Sequence, residues 1–160
     1  MKTISLVNTD QVTLIDDEDF ERVSKHRWWL MPQGRVKSSS VINGKQPYLA
    51  RFVLRTPQVL DTDHINLDPL DNRKENLRIA TRSQNIANSR KHRDGTSQYK
   101  GVSWHKKDRK WQARIMHEGV NINLGQFESE EEAARTYDIA ALKYFRKFSK
   151  LNFLERITIE

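Results

Sequence analysis

Asp63 and His64 stand side by side in DTDHINLDPLDNRKENLRIATRSQN, residues 61–85, with Asn72, Asn76 and Asn85 following at short intervals. The chain has only five histidines in 160 residues, so one set beside a carboxylate and trailed by amides asks for a reason. Hydrolysing a phosphodiester needs a base to activate water, a cation to stabilise the departing oxyanion, and a frame to hold both. Neutral imidazole suits the first task, because its unperturbed pKa of roughly 6.5 lies near working pH. Asp and Asn oxygens suit a hard divalent ion such as magnesium. The competing explanation is turn chemistry alone, which also favours Asp, Asn and Pro in loops.

The elements around these residues decide whether they can meet. On a strand, Asp63 and His64 point to opposite faces, so both serve one site only where the strand end bends. Asp68–Pro69 turns the chain back, and Asn76 can tie the resulting loop with its side chain. A helix is expected from about Thr81, capped by Thr81 or Ser83, which puts Asn85 in its first turns where it can face Asp63. One oxygen ligand from a strand and one from a helix would leave positions open for water and phosphate.

Composition narrows the partner. The formal net charge is +7, from 28 Lys and Arg against 21 Asp and Glu, and the pI is about 9.7. That balance favours a polyanion, with nucleic acid first. No apolar run approaches the roughly 20 residues that span a bilayer. MKTISLVNTDQ lacks the apolar core of a signal peptide. With no Cys, disulfides and thiolate zinc sites are excluded, and the chain reads as cytoplasmic.

Residues 1–50 read as a β-rich region. ISLV and QVTLI are strand-like, DDEDFERVSKHRWWL reads as a short helix opened by acidic residues, and Asn43–Gly44 is a hairpin turn between VKSSSV and YLARFVL. Residues 51–92 hold the Asp–His segment. Residues 93–98, within KHRDGTSQ, read as a linker. His26 and His92 lack comparable partners and read as packing or solvated residues.

Residues 99–154 form a second unit. YKGVSWH, KWQARIM and NINLGQF are three short strands. SEEEAARTYDIAALKYFRKF is an amphipathic helix with a Ser129–Glu132 capping box. Alternation puts Val102, Trp104, Trp111, Ala113, Ile115, Ile122 and Leu124 under that helix. The other face carries Lys, Ser, His, Gln, Arg and Asn, side chains that read base edges or hold phosphates. The fold class is α+β.

Both halves resemble known families. The pattern DH-(x)11-N-(x)8-N, through Asp63, His64, Asn76 and Asn85, together with DHIN, LDNR and ENLR, resembles the HNH endonuclease motif, in particular the phage and intron homing type with Asn in place of the last His. The resemblance implies a β-β-α-metal module with one divalent ion, magnesium or else manganese. Asp63 and Asn85 would be its ligands, His64 the general base, and Asn76 the residue that fixes the loop and orients His64; Asn72 reads as structural. The resembling proteins carry a His before the Arg ahead of the motif, where this chain has Ala50 before Arg51.

YKGVSW, KWQARI, LGQFESEEEAARTYDIAALKYF and LNF resemble the plant apetala-two/ethylene-response-factor domain, whose three-stranded antiparallel sheet, packed on one helix, lies in the DNA major groove. The resembling contact positions are Lys100, Ser103, His105, Arg114, Met116, Asn121 and Asn123. The plant domains have more Arg on this face and a Trp where Asn123 stands, so base preference does not transfer.

The expectation is a homing endonuclease of a bacterial or phage-infected host that binds double-stranded DNA through its C-terminal domain. It would leave a 3′-hydroxyl and a 5′-phosphate, and would use no small-molecule cofactor and no membrane. A non-catalytic sequence-specific DNA-binding regulator is the alternative. Target sequence, strand number cut and oligomeric state are not legible.

Overall fold

The computed structural model describes residues 1–91 and 94–153. His92, Arg93 and Leu154, which fall in segments assigned above, lie outside the described residues. The chain divides into two compact units, Met1–Arg82 and Ser83 onward. It is mixed α/β, with small sheets and four α-helices among the described residues.

In the first unit, β1 (Lys2–Ser5) and β2 (Val12–Ile15) form an antiparallel hairpin, followed by α1 (Asp17–Ser24). Asp17, Glu18 and Asp19 occupy the first turn of α1, where carboxylates meet the positive end of the helix dipole. β3 (Trp28–Leu30) pairs with β4 (Val36–Ser38). Asn43 and Gly44 both have positive φ, at 50° and 77°, and the bridge Ile42–Lys45 closes around them, so the Asn–Gly pair turns the chain as its chemistry dictates.

Two expectations fail here. The helix read over DDEDFERVSKHRWWL ends at Ser24, and Trp28–Leu30 is the strand β3. YLARFVL is not a strand: α2 spans Leu49–Leu54. Its β-rich composition is overruled by burial at helical spacing, since Leu49, Ala50 and Val53 enter the core together. Arg51, on the other side, donates to the carbonyls of Thr56 and Pro57 at 3.2 and 2.8 Å and also to that of Leu60, which fixes the loop leading into the next strand.

β5 (Asp61–His64) then pairs antiparallel with β6 (Leu77–Ala80), in the register Asp63–Arg78 and His64–Leu77. One core serves the whole unit: Ile4, Ile15, Val23, Trp28, Leu49 and Leu77 belong to a single buried cluster. The N-terminal region and the β5–β6 hairpin therefore share an interior.

The second unit holds nearly all of α3 (Arg82–Ala87), then β7 (Val102–His105), β8 (Lys110–His117), β9 (Val120–Phe127) and α4 (Glu130–Phe145). β8 is the central strand, antiparallel to both neighbours. Ser129 Oγ accepts from the Glu132 amide at 3.4 Å and starts α4. Ala133, Ala134, Ala140 and Ala141 are buried, which lets the helix backbone lie close to the sheet.

The closest approach is at Gly101. Its φ is +76°, and a Cβ there would sit 2.0 Å from the Tyr137 ring. Asp138, fully buried, accepts from the amides of Asn152 and Phe153 at 2.9 Å each. Asn152 in turn accepts from the Lys100 amide at 2.7 Å and donates to the Lys100 carbonyl at 3.1 Å.

The segment read as a linker is anchored at its far end. Ser97 is buried, its hydroxyl 2.6 Å from Glu130 Oε1, and Thr96 Oγ1 accepts from the Trp104 amide at 2.8 Å.

Candidate nuclease site and nucleic-acid face

His64 ends β5 where the chain leaves the sheet, and the loop from Ile65 to Asn76 closes back on it. Asn76 ties that loop. Its amide nitrogen donates to the Asp71 carbonyl at 2.8 Å, and its amide oxygen accepts from the Asn66 backbone at 3.0 Å. Asp71 is clamped by Arg73, whose Nε and Nη2 reach its two oxygens at 2.7 Å each, and this guanidinium holds the carboxyl below its ordinary range despite burial.

Asn72, read from the sequence as structural, meets the His64 ring. Asn72 Oδ1 lies 3.2 Å from His64 Nε2. Its Nδ2 donates to Thr13 Oγ1 at 2.8 Å and to the Pro69 carbonyl at 3.0 Å, and the residue is 1% exposed. A carbonyl oxygen accepts only, so the amide has one orientation and its oxygen faces the imidazole. Nε2 must then carry the ring proton, which leaves the basic lone pair on Nδ1. Burial, the largest influence, pulls the His64 pKa below its ordinary 6.5 against the Asn72 bond and the Asp63 charge, so the ring is neutral at pH 7.

The support for Asn72 comes from far away in sequence. Thr13 sits on β2, and the Leu14 amide and carbonyl bond Leu70 and Asn72 at 2.8 and 2.9 Å. β2 thus extends its pairing to residues 70–72. No periodicity in the chain announces a contact across 59 residues.

Asp63 is 3% exposed and faces Arg78 across the hairpin. Both Arg78 Nε and Nη2 lie 2.7 Å from Asp63 Oδ2. Sequence reasoning missed Arg78, although the antiparallel register puts it directly opposite.

Asn85 lies on α3, in the second unit. The donor chemistry of a carboxylate and an amide oxygen fits a magnesium ion that keeps several of its waters. Among the described residues no group of three or more His, Cys, Asp or Glu suits a metal.

In the second unit, Ser103, Arg114, Met116, Asn121 and Asn123 are exposed on the sheet. The register sets Arg114 opposite Asn123 and Met116 opposite Asn121. His105 is half-buried, with Nδ1 3.0 Å from Asp108 Oδ2 in the β7–β8 turn. Gln112, expected on the polar face, is 6% exposed. Trp104, expected in the core, is 37% exposed and meets Trp111 edge-on.

β9 carries a bulge. The pairing shifts between Ala113 and Arg114, so Leu124 is an extra residue on β9, and Leu124 and Phe127 both pack inward despite their odd spacing.

Lys100 is held by the end of a helix. Its ammonium donates to the carbonyls of Ile86, Ala87 and Ser89 at 3.1, 2.6 and 2.7 Å, which caps the end of α3. Three donors on three carbonyls occupy the ammonium in a structural role.

Comparison with known proteins yields two family matches: an HNH endonuclease model over residues 55–87 and an AP2 domain model over residues 97–147. The uncharacterized HNH endonuclease L560 of Acanthamoeba polyphaga mimivirus is 30% identical over 139 residues, covering 83% of this chain and 70% of that protein. The AP2-like ethylene-responsive transcription factor ANT of Arabidopsis thaliana is 28% identical over 159 residues, covering 84% of this chain and 29% of that protein. A further AP2-like factor, CRL5 of Oryza sativa subsp. japonica, is 39% identical over 90 residues, covering 51% and 14%. The chain thus spans less than a third of these plant factors. Among the described residues no helix is long and apolar enough to cross a membrane.

Proposed function

Since the chain belongs to the HNH endonuclease family and carries an AP2 domain behind its nuclease module, we propose that it is a metal-dependent DNA endonuclease of the homing type. The β5–β6 hairpin and α3 are the elements of a β-β-α-metal module, and the AP2 sheet face directs it to duplex DNA. Residues 51–92 act as the nuclease module on the scaffold of residues 1–50, and residues 99–154 as the DNA-binding domain.

The observation that carries the reading is the His64–Asn72–Thr13 chain of hydrogen bonds, which holds the ring proton on Nε2 and turns Nδ1 to the site. In the proposed reaction His64 Nδ1 accepts the proton of the attacking water, and Asn72 holds the ring against rotation. Asp63 and Asn85 would hold the divalent ion, magnesium or manganese, and Arg78 keeps the Asp63 carboxylate in one orientation. When bound, that ion supplies stabilisation for negative charge on the departing 3′ oxygen. Asn76 serves the site by closing the loop. Ser103, His105, Arg114, Met116, Asn121 and Asn123 are the proposed DNA-contact set.

A DNA-binding regulator with an idle nuclease module has one observation in its favour: the Arg78 guanidinium already neutralises Asp63. Conversion of supercoiled plasmid carrying an intron-junction insert to nicked or linear form separates the two, run with magnesium, with chelator, and with His64→Ala. Magnesium-dependent cutting lost in the variant, with DNA binding retained, supports the nuclease. Binding without cutting across several divalent metals supports the regulator.

A further inference from the structure

The hairpin β3–β4 presents an outward row that the nuclease reading leaves unused. Trp28 and Val36 face the core, so their strand neighbours face out. Trp29 pairs with Lys37 in the register, and Lys37 bridges to Tyr48. Trp29 is 48% exposed and Tyr48 38%. Arg35 and Lys37 approach the Tyr48 ring, at 5.7 and 5.9 Å from its centre. Among the described residues neither cation is matched by a carboxylate in an ion pair.

Two exposed aromatic rings interleaved with two uncompensated cations make a surface for a polyanion with flat apolar parts. Its position is equally telling. The β3–β4 turn lies against the catalytic loop: a Cβ at Gly34 would stand 3.5 Å from Pro69 Cγ, and the Pro69 carbonyl is one of the acceptors that orient Asn72.

We propose that Trp29, Arg35, Lys37 and Tyr48 form a second DNA-contact surface, which grips the phosphodiester backbone next to the bond attacked at His64. Arg35 and Lys37 hold phosphates, and the Trp29 and Tyr48 rings lie against the sugars between them. The contact carries no sequence information, so it complements the AP2 sheet face rather than duplicating it. Its placement beside the scissile bond rests on the nuclease reading; the DNA contact itself does not.

The test is duplex binding by the full chain, in chelator so that nothing is cut, over a range of salt. The double variant Arg35→Ala/Lys37→Ala should flatten the slope of log K against log salt by about 2, at roughly 0.9 for each phosphate that is no longer neutralised. Wild-type tryptophan fluorescence should be quenched by DNA, and Trp29→Phe should remove most of that change. A slope and a quench that both match wild type overturn the proposal. So does a double variant whose only change is its oligomeric state in sedimentation. A wild-type chain that never cuts plasmid, but whose double variant shows the flattened slope, keeps the DNA contact and loses the nuclease.

Discussion

Arg78 holds Asp63 through two donors on a single oxygen, with Nε and Nη2 each 2.7 Å from Oδ2. The side chains are 13% and 4% exposed, so this is an interior pair. Removing one partner of such a pair strands the other charge in a poor solvent. Arg78→Ala should therefore cost about 3–5 kcal/mol in urea unfolding. Arg78→Lys, which keeps the charge but loses the planar fork, should cost less. Equal losses in the two variants would show that the fork geometry, rather than the charge, is what the fold uses.

Asn72→Ala removes the acceptor that keeps the His64 proton on Nε2. Cutting should fall about 10- to 100-fold, the range when the orienting partner of a histidine is removed, while DNA affinity holds. Long-range proton–nitrogen NMR of the imidazole above pH 8 reads the tautomer directly. Wild type should show Nε2–H, and the variant a mixture.

Asp71 gives the first unit an acid limit. Its carboxyl is held below the ordinary 3.8 by Arg73. The unfolded chain then binds more protons than the folded one as pH falls, so stability rises with pH across this window. The contribution is complete above about 3.8 and is lost as pH falls through the folded value. Unfolding midpoints taken from pH 6 down to pH 2 should show this loss in wild type and a flatter course in Asp71→Asn.

Lys100 and Arg114 should separate in opposite directions. Lys100→Met strips the cap from the end of α3, which should cost about 1.5–3 kcal/mol of stability and leave DNA affinity nearly unchanged. Arg114→Ala should leave the melting temperature alone, weaken binding and lower the salt slope by about 0.9. Thermal melts and binding titrations on both variants test the assignment.

Gly101→Ala asks for a Cβ where the Tyr137 ring already stands, at a backbone angle that L-residues resist. The loss should be about 2–4 kcal/mol, combining overpacking with the positive-φ penalty, and should appear in the melt of the second unit.

The parts of this molecule that could be read from its sequence are those whose signals are local. The Ser129 cap and the alanine face of α4 lie within a few turns of one another, and the Asn43–Gly44 turn is set by two residues. Asp63 and His64 were visible because neighbours in sequence need no fold to be neighbours. The bond from Asn72 to Thr13 on β2 has no local signal, since 59 residues separate them, and neither has the hold of the Lys100 ammonium on carbonyls 11 to 14 residues behind it. The helical fate of YLARFVL came from burial, which β-propensity does not sense. The bulge at Leu124 shifts the parity of β9 without any glycine or proline at that residue to mark it.

The Asn152 side chain bonds both backbone groups of Lys100, so the C-terminal module starts and finishes at one point on its surface. A cassette whose two ends are stitched together can be spliced behind an unrelated host without pulling the flanking chain across its own body. For a module of this kind, changing companions over evolutionary time is mechanically cheap.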